Sequence, residues 1–143
     1  MQDLAYGVDA DGNITGITDH LAAARSQIFQ YDSLYRLTYA SGLYGALAYG
    51  YDAVGNRTSQ SGGTNSLAET YGYAAAGNQL LSVANAGTVR TLAYSATGNV
   101  ASEDFGNGTV LSYGYDQGDR LVQVAMRRGC WPCTTTIISA SAW

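Results

Sequence analysis

One short motif recurs along this chain with a period of about 21 residues, and any fold the chain adopts must be assembled from that unit. Six segments align: YGVDADGNIT from Tyr6, FQYDSLYRLT from Phe29, YGYDAVGNRT from Tyr49, YGYAAAGNQL from Tyr71, LAYSATGNVA from Leu92 and YGYDQGDRLV from Tyr113. With the third position as anchor the series reads Val8, Tyr31, Tyr51, Tyr73, Tyr94 and Tyr115, spaced by 23, 20, 22, 21 and 21 residues.

The motif spells a strand followed by a tight turn. Aromatic or apolar residues two apart, such as Tyr49 and Tyr51, fall on one face of a strand, and the Gly or Ala between them faces the other way. Asp at the next position (Asp9, Asp32, Asp52, Asp116) suits the first place of a type I turn. A glycine three residues later (Gly12, Gly55, with Gly77 and Gly98 in the related repeats) supplies the left-handed conformation that closes a hairpin with a bulge. A second alternating strand follows, as in Asn56-Arg57-Thr58-Ser59-Gln60 or Leu121-Val122-Gln123-Val124, and ends in another loop. Those loops read as Ser41-Gly42, Ser61-Gly62-Gly63-Thr64-Asn65, Asn85-Ala86-Gly87 and Asn107-Gly108. Helix signals are lacking except for one turn within Leu21 to Gln30. The expected fold is therefore all-β, an antiparallel meander of tandem hairpins forming a partial, open strip in which each repeat leans on its neighbours. Stacked anchor tyrosines are the expected source of cohesion.

These residues resemble the YD repeats of the Rhs and teneurin-like family, with YGYDAVGNRT at 49 to 58 and YGYDQGDRLV at 113 to 122 close to its consensus. The resemblance covers residues 5 to 125 and implies a β-sheet strip that spirals into a hollow shell, in bacteria often around a C-terminal toxin of a secreted polymorphic-toxin system. It implies a structural, non-enzymatic role, a secreted or cell-surface parent protein, and partners in the form of further repeats and an enclosed toxin domain. The match is imperfect in places: Val8 stands for the anchor tyrosine, Tyr35 and Asp119 for the turn glycine, and Ala74 and Ser95 for the Asp.

Composition narrows the other function classes. There are 18 Gly and 12 Tyr, a single Pro and no Lys, the bias that repetition of one motif produces. The first 126 residues hold five Arg against eleven acidic residues, a net of −6 that repels phosphate backbones and argues against nucleic-acid binding. No apolar run approaches the roughly 18 residues of a membrane span, and no basic-then-apolar leader is present.

Candidate sites each carry a plainer reading. Asp9-x-Asp11-x-Asn13 resembles the start of a calcium loop, yet Ile14 and His20 stand where an EF-hand needs Gly and Glu, so it reads as a turn. His20 lacks a Ser, Cys or His in a catalytic pattern and reads as a solvated loop residue. Glu69, Glu103 and Asp104 fall between motifs and read as solvated charge on linkers. The Gly-rich Ser61-Gly62-Gly63 lacks the Lys of a phosphate loop. Asn-x-Thr at Asn13, Asn56 and Asn107 carries little weight as a glycosylation signal, because two of the three belong to the repeat itself. No catalytic residue, cofactor or metal site is assigned. The one functional alternative is a carbohydrate- or protein-binding surface in which Tyr49, Tyr71 and Tyr113 stack on sugar rings.

The repeat array occupies residues 1–125, and residues 126–143 break its pattern, holding the only Pro, both Cys and both Trp. Cys130-Trp131-Pro132-Cys133 has neither the further ligands of a structural zinc nor the βαβ setting of a redox pair. An alternative reading needs only the genetic code. Shifted by one base, the codons of Thr134 to Trp143 permit Tyr-Asp-Tyr-Asn-Asn-Leu-Gly-Gln-Arg-Val. The anchor tyrosine then falls at Thr136, 21 residues after Tyr115, and the turn glycine at Ala140. The tail is accordingly expected to be a seventh repeat read out of frame. The nucleotide sequence should show this motif in the shifted frame, and its absence there would exclude the idea.

Overall fold

The computed structural model describes residues 2–64 and 68–129, together with the backbone of 136–139. Thirteen strands and one 3-10 turn make up the regular structure of these residues, with no α-helix among them. The chain divides after Thr70 into two compact units. The first holds β1 (Leu4–Val8), β2 (Ile14–Asp19), β3 (Gln27–Tyr31), β4 (Leu37–Gly42), β5 (Gly45–Tyr51) and β6 (Arg57–Gly62), and ends within β7 (Glu69–Tyr73). The second continues through β8 (Leu80–Asn85), β9 (Thr88–Tyr94), β10 (Val100–Asp104), β11 (Thr109–Tyr115), β12 (Leu121–Arg128) and β13 (Thr136–Ser139). Strand order is chain order, and every described pairing is antiparallel, the meander expected of tandem hairpins.

Register fixes what each face carries, because directly opposed residues share a face. In the first unit Phe29 lies opposite Ala40, Ala40 opposite Leu47 and Leu47 opposite Gly62, an apolar row in which Ala40 is 3% exposed. The anchor tyrosines Tyr31 and Tyr51 extend this face. The opposite face carries Gly50, Ser59 and Thr70 in register. A Cβ at Gly50 would crowd the Ser59 hydroxyl, which suits glycine at this position of the third repeat. In the second unit Leu92, Glu103, Leu111 and Met126 form one row, and Ala93, Ser102, Ser112 and Ala125 form the row behind it. Among the described residues only Ala40 and Val83 are buried apolar side chains. A core this thin leaves the hydrogen-bonded ladder and contacts between hairpins to hold the sheet.

Loop positions depart from expectation in detail. Ser41 and Gly42 belong to β4, whose turn is Leu43–Tyr44, and Ser61 and Gly62 extend β6. Asn85 pairs with Thr88 across a two-residue turn at Ala86 and Gly87. Strand pairing thus runs further than turn residues alone suggest, because an unpaired backbone group gains by continuing the ladder. Between β2 and β3 the helical signal condenses to a single 3-10 turn, Ala23–Arg25. The buried Asp19 holds this loop, accepting the Leu21 and Ala22 N–H groups at 2.9 Å each.

At the far end β12 continues through Arg128, and β13 pairs with it so that Thr136 lies opposite Met126. Cys130, Cys133 and Ala140 lie outside the described residues.

Candidate functional site: the tyrosine-anchored turns

Each hairpin of the motif closes on the same geometry. In the first, Gly12 N–H donates to Asp9 C=O at 3.2 Å and Asp9 N–H to Asn13 C=O at 3.0 Å, a type I turn followed by a bulge. Repeats two, three, five and six reproduce both bonds at Asp32, Asp52, Ser95 and Asp116. The fourth turn is one residue longer, with Ala74 N–H reaching Gln79 C=O. The turn glycines Gly12, Gly55, Gly77 and Gly98 take φ of 89°, 95°, 114° and 89°. Where glycine is replaced, the backbone stays left-handed: Tyr35 and Asp119 are held at φ 60° and 56°, a region costly for residues with a Cβ.

The turn aspartate is an acceptor for its own loop. One oxygen of Asp52 takes the N–H groups of Val54 and Asn56 at 3.0 and 2.8 Å, and the other takes the Asn56 carboxamide at 2.9 Å. Asp9 repeats this with Asp11 and Asn13. In the second and sixth turns an arginine replaces the asparagine, and its Nε meets the carboxylate at 2.7 Å (Arg36 to Asp32) and 2.8 Å (Arg120 to Asp116). Each carboxylate is thus taken up by donors of its own turn, a guanidinium among them at Asp32 and Asp116, and the calcium-like spacing at Asp9 serves the same turn bonds. All four are held below the ordinary value of 3.8. The main cause is the Asn13 carboxamide for Asp9, the Arg36 backbone N–H for Asp32 and the Arg120 side chain for Asp116. At Asp52 desolvation pushes the value up, and the Asn56 side chain and the surrounding N–H groups together outweigh it.

The anchor tyrosines join one hairpin to the one before. Tyr31 Oη donates to Ile14 C=O at 3.0 Å, Tyr51 to Leu37 C=O at 2.8 Å and Tyr94 to Leu80 C=O at 2.8 Å. In each case the acceptor is the first residue of the second strand in the preceding repeat, and at Ile14 and Leu37 it lies beside a bulge in the ladder. Tyr73 ends β7 in the equivalent position, and Tyr115 ends β11 opposite Leu121 without a hydroxyl bond among the described residues. Between repeats two and three the link is reciprocal. Arg36 Nη1 donates to Asp52 C=O at 2.7 Å, and its guanidinium lies 4.8 Å from the centre of the Tyr51 ring. Between repeats five and six the Asn99 carboxamide donates to Asp119 at 2.6 Å.

Residues 94–129 match the RHS repeat family model. This segment is similar to an RHS repeat. It runs from the Tyr94 anchor through the turns at Ser95 and Asp116 to the end of β12, so the matched segment spans two of the hairpin turns described above. The wider fold is shared with crystal structures of TcdB2–TccC3. The complex with Cdc42 superposes at a TM-score of 0.71 and 18% identity, over 88% of this chain and 7% of that one. The form without the hypervariable C-terminal region and TcdB2–TccC3 itself each give 0.70 at the same identity and coverage. The chain thus spans a small fraction of those chains' length. No curated protein matches it in sequence.

One polar cluster, around β10, differs from what the motif spacing suggests. Glu103 and Asp104 are not linker charges but the end of β10, and Glu69 opens β7. The strands run longer than the motif spacing suggests and carry these residues into the sheet. Glu103 lies between Leu92 and Leu111, with its side chain 15% exposed. It is paired with Arg90 Nη1 at 3.1 Å and accepts Tyr113 Oη at 3.1 Å, as a carboxylate among leucines requires. Burial, then the Glu103 carboxylate, pushes the Tyr113 hydroxyl up. Arg90 Nε is enclosed without an acceptor. Of the other tyrosines considered for sugar stacking, Tyr49 lies 5.9 Å beneath the Arg57 guanidinium and Tyr71 is in β7. His20 is an exposed loop residue, as expected. No group of three or more His, Cys, Asp or Glu gathers in metal-binding geometry among the described residues.

Two predictions follow from the turns and their links. Tyr51→Phe, which deletes only the donor to Leu37, should lower stability by about 0.5 to 1.5 kcal/mol in urea melts, whereas Tyr35→Phe should stay within about 0.5 kcal/mol. Because the four folded aspartates titrate below 3.8, their stabilisation is complete above that value and is lost as pH falls through the lowered folded values. The urea midpoint should therefore drop below pH 3.8, and replacing all four with Asn should flatten that drop.

Proposed function

We propose that this chain is wall. It is a non-enzymatic structural run of RHS-type repeats that contributes sheet to an encapsulating shell in a longer secreted or surface parent of the toxin type. Its partners are further repeats, with a toxin domain as the enclosed cargo. The observation that carries this reading is the use of the motif's own functional groups. The Tyr31, Tyr51 and Tyr94 hydroxyls bind the neighbouring hairpin, and the turn carboxylates bind their own turns. A sheet with two buried apolar residues among those described gains from such links and from more repeats on either side. The fold shared with TcdB2–TccC3, one of whose crystal structures is of the form without its hypervariable C-terminal region, supports a constant wall beside a variable segment.

The alternative is a binding module that presents Tyr49, Tyr71 and Tyr113 to carbohydrate. Tyr113 speaks against it, since its hydroxyl is taken by Glu103. Calorimetric titration of the full chain with a glycan panel is expected to give no saturable heat. Binding that disappears on replacing Tyr49, Tyr71 and Tyr113 with Ala would overturn the wall reading in favour of the module.

A further inference from the structure

We infer that Asn107-Gly108, in the loop between β10 and β11, is a self-modification site at which the folded chain converts asparagine to aspartate and isoaspartate. It is the only Asn-Gly pair in the sequence. Ring closure needs an asparagine whose next backbone nitrogen can reach its side-chain carbonyl, and a following residue without a Cβ removes the steric barrier to that approach. Both groups are open here. Asn107 and Gly108 are exposed, Gly108 is at φ 83°, and neither the Gly108 N–H nor the Asn107 Nδ2 has a hydrogen-bond partner among the described residues.

The loop also polarises the carbon under attack. Thr109 N–H donates to Asn107 Oδ1 at 3.0 Å, so a donor is already aimed at the oxygen on which negative charge develops. The frame around it is fixed by Phe105 N–H on Thr109 C=O at 3.0 Å and by Gly129 N–H on Gly108 C=O. The Gly108 nitrogen gives its proton to solvent hydroxide and forms a bond to Asn107 Cγ. The Cγ–Nδ2 bond then breaks as Nδ2 takes a proton from water, which regenerates the hydroxide, and leaves as ammonia, giving a succinimide. Water opens that ring at either carbonyl, to aspartate or to isoaspartate, with no change of oxidation state.

Other asparagines lack this combination. Asn13 and Asn56 donate their carboxamides to Asp9 and Asp52, and Asn99 donates to Asp119. Their successors Ile14, Arg57 and Val100 carry a Cβ and open strands. Asn78 and Asn85 precede Gln79 and Ala86, and Asn65 lies outside the described residues.

The test incubates the purified full chain at mildly alkaline pH, folded and in urea, followed by anion exchange, intact mass and peptide mapping with isoaspartyl methyltransferase labelling. The folded chain should form a more acidic species with the mass change of amide to acid. The label should map to Asn107, form faster as pH rises, and appear no more slowly folded than in urea. Asn107→Gln should abolish it. Asn107→Asp, which keeps the oxygen that Thr109 meets, should release no ammonia from this loop. No acidic species, conversion mapped to another asparagine, or a folded chain slower than the unfolded one would each overturn the inference.

Discussion

The hydrogen bond from an anchor tyrosine to the preceding hairpin is the interaction on which the array depends. A hairpin alone is marginal in water, and stacking hairpins in sequence normally works by burying a shared apolar face. Here that face is shallow, with Ala40 and Val83 as the buried apolar residues among those described. What remains is directional. Tyr31, Tyr51 and Tyr94 each fix both the distance and the register of the next hairpin by ending on a particular carbonyl. At Ile14 and Leu37 that carbonyl lies where a bulge interrupts the ladder, between Gly7 and Val8 or between Gln30 and Tyr31. Bulge and hydroxyl are two halves of one joint.

The turns show how this joint tolerates degenerate repeats. Where the left-handed position is glycine, asparagine follows: Gly12-Asn13, Gly55-Asn56, Gly77-Asn78 and Gly98-Asn99. Where it is Tyr35 or Asp119, arginine follows. The carboxamide gives the turn aspartate a neutral donor, and the guanidinium gives it a charged one, which is the stronger bond. The stronger clamp stands where the backbone conformation is less favourable, and the backbone bonds of these turns match those of their glycine counterparts. Arg36 goes further by reaching the next turn and the next anchor ring, so a repeat without its glycine is the one most firmly tied forward.

Much of this architecture is legible in the motif. Alternation and turn residues together specify antiparallel hairpins in chain order. Side-chain partners are not legible, because they join positions about one repeat apart that no local pattern relates. Glu103 shows the difference. Its sequence context, between one motif and the next, resembles a loop, and only the register that opposes it to Leu92 and Leu111 reveals a shielded carboxylate. Loop lengths fail for a related reason. Glycine and serine at 41–42 and 61–62 signal turns, yet the ladder absorbs them and moves the turn beyond.

The Arg90–Glu103–Tyr113 cluster bears on how a repeat with variable spacing keeps its strands aligned. A strand whose faces alternate apolar and small, such as β9 or β11, loses little contact on sliding by two residues, and anchor spacings of 20 to 23 show that loops do not enforce one length. A slip of one residue in β10 would carry Glu103 to the face of Ala93 and Ser112, away from both partners, and leave its charge without a donor. A slip of two would keep the face but separate Glu103 from Arg90 by more than a side chain spans comfortably, at about 3.4 Å per residue. Ion pairs of this kind add little to net stability when correctly formed and cost several kcal/mol when one partner is missing, on the order of 3 to 5. In a sheet held by single hydroxyls and a shallow apolar face, that asymmetry penalises misalignment more than it rewards alignment.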